Sequence, residues 1–178
     1  MKFRVEGSNQ GNPIMNLEER LASLELRCQA AEDHLEILNL LNSYGPLVDS
    51  GLDQDATKLW IQGGGYNFTL PGGGTERLAA PEPLGGMYRS GAHMGLVNTG
   101  SAHLTATPKI AIDGDDAQAV GYSFVVSSEG ARWFLLRAAV NHWTLRRTPD
   151  GWRIKERVNR TLDGSKESHK VMQKVLSI

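Results

Sequence analysis

Apolar side chains near the start of the chain recur at alternating steps of four and three residues, the spacing of one face of an α-helix. Asn16 followed by Glu19 resembles a capping box, in which the Asn side chain accepts a hydrogen bond from a free backbone N–H. We predict a long helix that stops near Tyr44-Gly45-Pro46, because proline disfavours helical geometry at the residue before it. The stripe consists of Leu17, Leu21, Leu24, Cys28, Ala31, Leu35 and Leu38.

A stripe that persists over three heptads is compatible with a coiled coil or with a helix lying across a sheet. Cys28 and Ala31 are small side chains that would fill a coiled-coil interface weakly. We therefore favour a helix that packs on a sheet through this stripe.

The pattern becomes irregular after the long helix. Asp53 is predicted to cap a second, short helix. A strand is predicted at Tyr66–Leu70, between two glycine triplets, and a helix weakened by its glycines at residues 87–98. The apolar residues assigned to the short helix are Ala56, Leu59 and Trp60.

From Ser101 onward apolar and polar residues alternate, which is the period of a β-strand. Segments rich in Asp, Gly and Pro separate four predicted antiparallel strands, and a short helix finishes the chain. Helices followed by consecutive strands indicate an α+β domain with the helices on one sheet face. The predicted strands cover residues 104–112, 120–126, 133–147 and 152–160.

Length and charge limit the class of protein. The 178 residues fit one domain, which we place at residues 16–178 after a flexible tail at residues 1–15. A formal charge of −1 offers no field for nucleic acid or an anionic membrane. The tail lacks the apolar centre of a signal peptide, and the single cysteine excludes an intrachain disulfide. We therefore expect a cytoplasmic protein with no nucleic-acid or membrane partner.

Several site classes are excluded by missing motifs. No glycine cluster fits a phosphate loop, and no GxSxG marks a serine nucleophile. His93 and His142 are the remaining candidate metal ligands, but no HxH, HExxH or nearby acidic cluster accompanies them. We therefore expect neither a metal nor a cofactor.

Six short segments follow one another in a distinctive order: Leu17–Leu21, Asn42–Asp49, Trp60, Ala102–Leu104, Ile112–Asp115 and Arg146–Ile154. Together they resemble the SnoaL-like branch of the nuclear transport factor 2-like superfamily, which is similar to scytalone dehydratase, bile acid 7-alpha-dehydratase and hexachlorocyclohexane dehydrochlorinase. The resemblance covers about residues 17–162. It implies a cone-shaped, curved antiparallel sheet wrapped around N-terminal helices, with a deep pocket inside. It also implies a homo-oligomer, a trimer or alternatively a dimer, packed through the outer sheet face.

The resemblance implies a catalytic group as well. Lyases of this branch use an Asp at the end of the first helix and a His early on the following strand, and these positions match Asp49 and His103. Tyr44 and Arg157 match two further positions of the branch. A carboxylate bonded to one imidazole nitrogen raises the basicity of the other, which suits removal of a proton beside a carbonyl or a leaving group. Alternatively, Asp49 caps the next helix and His103 is a satisfied core histidine.

The remaining candidates concern substrate binding. Arg157 shares strand parity with solvated residues and points outward unless a β-bulge re-aims it, so Arg160 is a comparable alternative. Tyr44 is either a hydroxyl donor or a core tyrosine, and Asn141 either binds a ligand or is a structural amide. The aromatic and sulfur-containing candidates for the pocket wall are Trp60, Met87, Phe124 and Trp143.

We predict a cofactor-independent lyase, of the dehydratase type, acting on a small hydrophobic carbonyl or cyclic compound. His103 would abstract a proton, Asp49 would orient it and Tyr44 would polarise the substrate. The same base would serve an isomerase or a polyketide cyclase. A different class is also open, a non-catalytic small-molecule binder or structural subunit of the same fold.

Overall fold

A computed structural model describes residues 16–178, so the tail predicted at residues 1–15 lies outside the described residues. A long helix comes first, short helices and a hairpin follow, and five consecutive strands precede the last helix, which confirms the α+β class. The helices are α1 (Leu17–Asp49), α2 (Asp53–Thr57), α3 (Glu82–Tyr88), α4 (Gly91–Thr99) and α5 (Lys166–Gln173), with a 3-10 turn at Lys174–Leu176. The strands are β1 (Trp60–Thr69), β2 (Thr75–Ala79), β3 (Ser101–Thr105), β4 (Lys109–Asp113), β5 (Asp116–Glu129), β6 (Arg132–Thr148) and β7 (Gly151–Thr161).

Helix α1 begins as predicted and ends later than predicted. The Asn16 side chain accepts a hydrogen bond from the Glu19 N–H at 2.9 Å, and the Glu19 carboxylate accepts one from the Asn16 N–H at 2.9 Å. The predicted stop near Tyr44 is wrong, because the helix continues through Pro46 for another turn. Tyr44 and Val48 are buried on either side of the proline, so core packing offsets the hydrogen bond that Pro46 cannot donate.

The core face of α1 is not the predicted apolar stripe. Leu21 and Leu24 are each 55% exposed and Leu35 is 59% exposed, so the prediction that the stripe packs on the sheet is wrong. A second set of residues at the same four-three spacing faces the core instead. These are Ile37, Leu41, Tyr44 and Val48.

The segment after α1 is more extended than its sequence suggests. Helix α2 starts at Asp53 itself and ends at Thr57, and Trp60 opens strand β1 rather than lying on a helix. The Trp60 ring is buried, 6.1 Å from the ring of Tyr66. The helix predicted over residues 87–98 is two helices, α3 and α4, and strand β2 was not predicted at all.

The seven strands form one curved, unclosed sheet in the order β2-β1-β7-β6-β5-β3, with β4 also paired to β5. Strands β1 and β7 run parallel, so the sheet is mixed rather than wholly antiparallel as predicted. Strands β3 and β4 were predicted as one, but they pair with opposite halves of β5. Pro108 lies between them and cannot donate a ladder hydrogen bond. None of the helices within residues 16–178 is both long and apolar enough to cross a membrane.

A β-bulge in β7 reverses which side chains of this strand face the core. On β6 the neighbours Thr144 and Leu145 pair with Glu156 and Ile154, which leaves Lys155 without a partner. Side chains before and after Lys155 therefore alternate in opposite phase. Residues of odd number face the core after the bulge, whereas residues of even number face it before the bulge.

The outer face of the sheet carries a second apolar cluster beneath α5. Val158 packs in this cluster because the bulge turns it to the face opposite that of Trp152 and Ile154. The cluster is centred on Val120, Val140 and Val171. Both faces of the middle strands are therefore apolar, one under α1 and one under α5.

One buried carboxylate fastens α1 to the turn between β6 and β7. The Arg147 guanidinium donates to both oxygens of Asp33, at 2.6 and 2.5 Å, and the Trp152 indole N–H donates at 3.2 Å. The guanidinium also stacks on the Trp152 ring, 4.6 Å from its centroid. The hydrogen bond from Arg147 is the main cause that lowers the pKa of Asp33 to about 2, and it outweighs the effect of burial.

Helix α1 and strand β3 touch backbone to backbone at Gly45. A Cβ atom at this position would overlap the carbonyl oxygen of His103. Only a residue without a side chain allows this approach. Gly45 thereby sets how closely the end of α1 lies to the start of β3.

Asp33→Asn should lower the free energy of unfolding by about 1–3 kcal/mol near neutral pH, because the charged acceptor of three side chains, those of Arg147, Trp152 and Gln29, is lost. The pKa of Asp33 is below its ordinary value of 3.8, so this stabilisation is complete above that pH and disappears as the pH falls towards 2. Thermal unfolding at several pH values measures it. Asp115→Asn, which removes the exposed second partner of Arg147, is the control and should change little. A constant difference between wild type and D33N down to pH 2 would contradict the assignment.

Gly45→Ala should destabilise the protein by about 1–3 kcal/mol, although alanine favours helices, because its methyl group pushes β3 away from α1. Gly95→Ala is the matched control, since Gly95 also lies inside a helix and a Cβ there meets no atom within 4 Å. Thermal unfolding of the two variants measures the difference. Equal melting temperatures would show that the contact at Gly45 does not limit the packing.

Candidate active site

Asp49 and His103, predicted as a pair, lie in direct contact. Asp49 is the last residue of α1 and His103 is the third residue of β3. One carboxylate oxygen lies 2.7 Å from Nδ1 of His103 and also accepts the Ser101 hydroxyl at 3.0 Å. The other oxygen accepts the backbone N–H of His103 at 2.6 Å. Since a carboxylate can only accept, Nδ1 carries the proton and Nε2 is left as the basic nitrogen.

The hydrogen bonds keep Asp49 ionised. Burial acts to raise the pKa of this carboxyl, but the bonds from the His103 ring, the His103 backbone and Ser101 outweigh it and hold the pKa below the ordinary value. An ionised carboxylate fixes the tautomer of His103 and stabilises the imidazolium that forms when His103 takes a proton.

Tyr44 lies beside this pair, one turn earlier on α1. Its ring meets the His103 ring edge-on, with centroids 6.1 Å apart. Five residues of an uninterrupted helix turn the two side chains about 140° apart, so Tyr44 reaches the site through the His103 ring and not through Asp49. Burial raises the pKa of Tyr44 to about 12. Tyr44 is therefore a neutral hydroxyl that can donate a hydrogen bond.

Tyr44 and His103 line a cavity of about 240 Å³ between α1, α4 and the sheet, whereas Asp49 contacts His103 from outside the lining. Its size is near the lower end of ligand pockets, which run from roughly 300 to 1,000 Å³. Apolar side chains form most of the wall, and polar groups gather in one part of it. The apolar lining includes Phe68, Met87, Leu96, Phe124 and Val125, and the polar lining includes Tyr44, His93, His103, Arg137, Arg157 and Asn159.

Arg157 points into the cavity because the bulge at Lys155 re-aims it. The strand parity had predicted an outward side chain, but Arg157 is 4% exposed. Its guanidinium carbon lies 4.6 Å from the ring centroids of both Tyr44 and Tyr66. Burial opposes the charge, yet the surrounding tyrosines outweigh it and raise the pKa of Arg157 above its ordinary value. The cavity therefore contains a permanent, desolvated cation.

Four of the candidates for substrate binding lie outside the cavity lining. Asn141 is fully buried, and its carboxamide oxygen accepts Nε of Arg157 at 2.9 Å, so it positions the arginine rather than facing a ligand. Trp143 lies behind the same guanidinium, 5.6 Å from it. Trp60 belongs to the core, and the Arg160 guanidinium donates to backbone carbonyls outside the cavity. By contrast, Met87 and Phe124 line the cavity as predicted.

His93 and Arg137 are two of the lining residues that the sequence did not identify as binding candidates. His93 was considered only as a metal ligand, but its Nδ1 donates to the Tyr88 carbonyl at 2.9 Å and its buried Nε2 finds no partner among residues 16–178. Burial lowers the pKa of His93, so it is a neutral acceptor. Arg137 donates to Asn159 at 2.8 Å. The sequence could have identified Arg137, because it is a charged residue in an otherwise apolar strand and lies an even number of residues from the core residue Trp143, on the same face.

The second histidine considered as a metal ligand lies elsewhere. His142 is on the other side of the sheet, with Nε2 2.9 Å from the Gln118 side chain, and burial lowers its pKa to about 4. Within the described part of the chain, no group of three or more His, Cys, Asp or Glu residues could hold a metal ion.

Solved structures with the same fold are numerous. An NTF2-like protein with a cystatin-like fold from Novosphingobium aromaticivorans is 32% identical, with a TM-score of 0.76 over 90% of this chain and 99% of that one. Rv3472 of Mycobacterium tuberculosis, a protein of unknown function, is 19% identical, with a TM-score of 0.62 over 80% and 91% of the two chains. Aln2 from a Streptomyces species is 19% identical, with a TM-score of 0.63 over 74% and 92%. The last two likenesses show the fold alone.

A comparison with models of protein families identifies the family of the chain. The model of the SnoaL-like domain matches residues 29–158, which include Asp49, His103 and Arg157. A comparison with curated proteins gives no match. None of these comparisons tests the predicted single domain over residues 16–178, which stays a prediction. The matched segment covers most of the chain, and together with the 32% identical structure it shows that this protein belongs to the SnoaL-like family of the NTF2-like superfamily.

Proposed function

We propose that the protein is a cofactor-independent lyase that removes water from a small hydrophobic carbonyl or cyclic compound. The observation that carries the proposal is His103 in the wall of the cavity, with its Nδ1 2.7 Å from the carboxylate of Asp49. This contact leaves Nε2 free to act as a general base.

The reaction breaks two bonds of the substrate. Nε2 of His103 takes the proton from the carbon next to the carbonyl, and the electrons of that C–H bond move into the carbonyl as an enolate. When the carbonyl re-forms, the neighbouring C–O bond breaks, and the imidazolium returns its proton to the departing hydroxyl. Water leaves, His103 is neutral again and no cofactor is consumed. Asp49 stabilises the imidazolium between the two steps.

The polar groups of the cavity are suited to an enolate. Tyr44 is a neutral donor and Arg157 is a fixed cation, so both favour negative charge on a carbonyl oxygen. His93 offers an unpartnered acceptor, suited to a second hydroxyl of the substrate. The ring of His93 lies 5.8 Å from that of His103, so the two imidazoles can contact one small molecule. Donors and acceptors therefore suit a hydroxylated carbonyl compound.

The wall of the cavity supports a hydrophobic substrate. Met87, Leu96 and Phe124 supply apolar contacts, and a cavity of about 240 Å³ favours a small compound. An isomerase or a polyketide cyclase would use the same base and the same enolate, and product analysis separates these reactions from elimination.

We also propose a homo-oligomer in a reducing, cytoplasmic compartment. The sole cysteine, Cys28, is free and exposed. The start of β6 leaves four consecutive apolar side chains exposed on the two faces of the strand, where another copy of the chain can cover them. These are Trp133, Phe134, Leu135 and Leu136.

His103→Ala should lower kcat by roughly 10²–10⁴-fold, because a positioned base is removed. The assay uses a panel of cyclic β-hydroxy ketones, whose dehydration produces a conjugated ketone with a new ultraviolet absorbance. His142→Gln is the matched control, since His142 lies outside the cavity, and it should keep wild-type turnover. Turnover by H103A equal to wild type would refute the mechanism. Binding of these ketones without turnover by wild type would favour the non-catalytic class.

Arg157→Lys should lower kcat by roughly 10²–10³-fold with a smaller change in KM, because a donor to the developing oxyanion is displaced. Lysine cannot stack on two tyrosine rings while bonding Asn141, so it does not reproduce the position of the guanidinium. Arg160→Lys, outside the cavity, is the control. Melting temperatures of both variants test whether any loss reflects unfolding, and an R157K enzyme with wild-type kcat would show that the guanidinium does not act on the transition state.

A further inference from the structure

The N-terminal half of α1 projects from the body of the protein. Every residue from 17 to 32 is exposed except the half-buried Ser23, and the first buried residue of the helix is Asp33. These 16 residues, which we call the arm, span about 24 Å at 1.5 Å per residue. The SnoaL-like domain model begins only at residue 29, so most of the arm lies outside the matched domain.

The arm carries an apolar stripe that nothing within residues 16–178 covers. Its spacing is that of the a and d positions of a heptad repeat, and it continues unbroken over three heptads. Leu17 is 78% exposed, and Leu21 and Leu24 are each 55% exposed. The a positions are Leu21, Cys28 and Leu35, and the d positions are Leu17, Leu24, Ala31 and Leu38.

The body of the protein lies on the other side of the helix. Asp33, which binds the body, is two residues from both Ala31 and Leu35, so it points about 200° away from them around the helix. Leu35 is still 59% exposed although it lies level with the body. The stripe is therefore open from Leu17 to Leu35, with only Leu38 at its end half-buried, and a second helix can lie against the open part without meeting the sheet.

The stripe also explains how such an arm could be stable as a helix. Isolated helices of this length are marginal in water, and most helices are stabilised by packing of an apolar face. The capping box at Asn16 stabilises only the first turn. A partner helix with the same repeat would cover the stripe, and another copy of this chain supplies one.

Charges beside the stripe select the orientation of that partner. The e positions are all acidic and the g positions are all basic or histidine, and none of these residues forms an ion pair within residues 16–178. In a parallel coiled coil each g residue faces the e residue five positions further along the partner. The e positions are Glu18, Glu25 and Glu32, and the g positions are Arg20, Arg27 and His34.

The parallel arrangement pairs opposite charges throughout. Arg20 would face Glu25 of the partner subunit, and Arg27 would face Glu32 of the partner subunit. An antiparallel arrangement sets g against g and e against e, so it would place arginine beside arginine and glutamate beside glutamate. Exposed ion pairs add little affinity, but like charges in contact exclude the wrong orientation.

We propose that the arm forms a parallel, in-register, two-stranded coiled coil with the arm of a second copy of this chain. Cys28 and Ala31 fill the middle of the interface only weakly, so Leu17, Leu21, Leu24 and Leu35 supply most of its apolar contact. This surface is separate from the exposed apolar residues of β6, and the proposal does not depend on the proposed reaction.

Disulfide cross-linking tests the interface and its direction. Two variants each carry a single cysteine, C28S/L21C at an a position near the arm tip and C28S/L26C on the outward side, where Leu26 is 74% exposed. In a parallel in-register pair the two copies of residue 21 face each other within disulfide reach, whereas the two copies of residue 26 do not. We expect C28S/L21C to form the covalent dimer at least roughly tenfold faster under mild oxidation. Equal rates for the two variants would overturn the proposal.

Charge exchange within C28S/L21C tests the pairing itself. Adding R20E and R27E places glutamate at both g and e, which should slow cross-linking several-fold, and further addition of E25R and E32R should restore it. Circular dichroism of each variant shows that the fold is retained. If the charge-reversed variant cross-links as fast as its parent, the parallel pairing of g and e residues is wrong.

Discussion

The geometry of the candidate site depends on one carboxylate. Asp49 ends α1 and accepts three hydrogen bonds from the start of β3, two from His103 and one from Ser101. The same bonds that join helix to strand decide which imidazole nitrogen is basic. Close contact at Gly45 makes this arrangement possible, because a side chain there would hold the strand away. The hydrogen bonds of Asp49 therefore both hold α1 against β3 and fix the tautomer of His103, so a change that breaks them affects the packing and the chemistry together.

The second determinant is the change of phase in β7. Without the unpaired Lys155, Trp152 and Arg157 would lie on opposite faces of the sheet. Because of the bulge, Trp152 packs in the core and donates to Asp33, while the Arg157 guanidinium lies against the rings of Tyr44 and Tyr66 in the cavity. Asn141 then holds the guanidinium from behind. A single extra residue thus provides a charged group to a cavity whose wall is otherwise mostly apolar.

Much of this could be predicted from the sequence, and the exceptions share a cause. The helix start, the α+β class and the proximity of Asp49 and His103 follow from local signals or from family resemblance. Arg157 was wrongly predicted to point outward, because counting alternate residues along a strand assumes that every residue has a partner on the next strand, and Lys155 has none. The stripe on α1 was assigned to the core because periodicity identifies an apolar face but not what covers it. Trp60 was placed on a helix because its burial depends on distant residues such as Tyr66.

Helix α1 is continuous from the arm to Asp49, a rod of 33 residues and about 50 Å. Its two ends serve different purposes, since one end meets solvent and the other holds the basic imidazole. A stiff helix transmits axial sliding or rotation along its full length, and shifts of 1–2 Å are typical of coupled elements. The Asp33 contact lies between the two ends and joins the helix to Arg147 and Trp152, so it resists such a shift of the arm before the shift reaches Asp49.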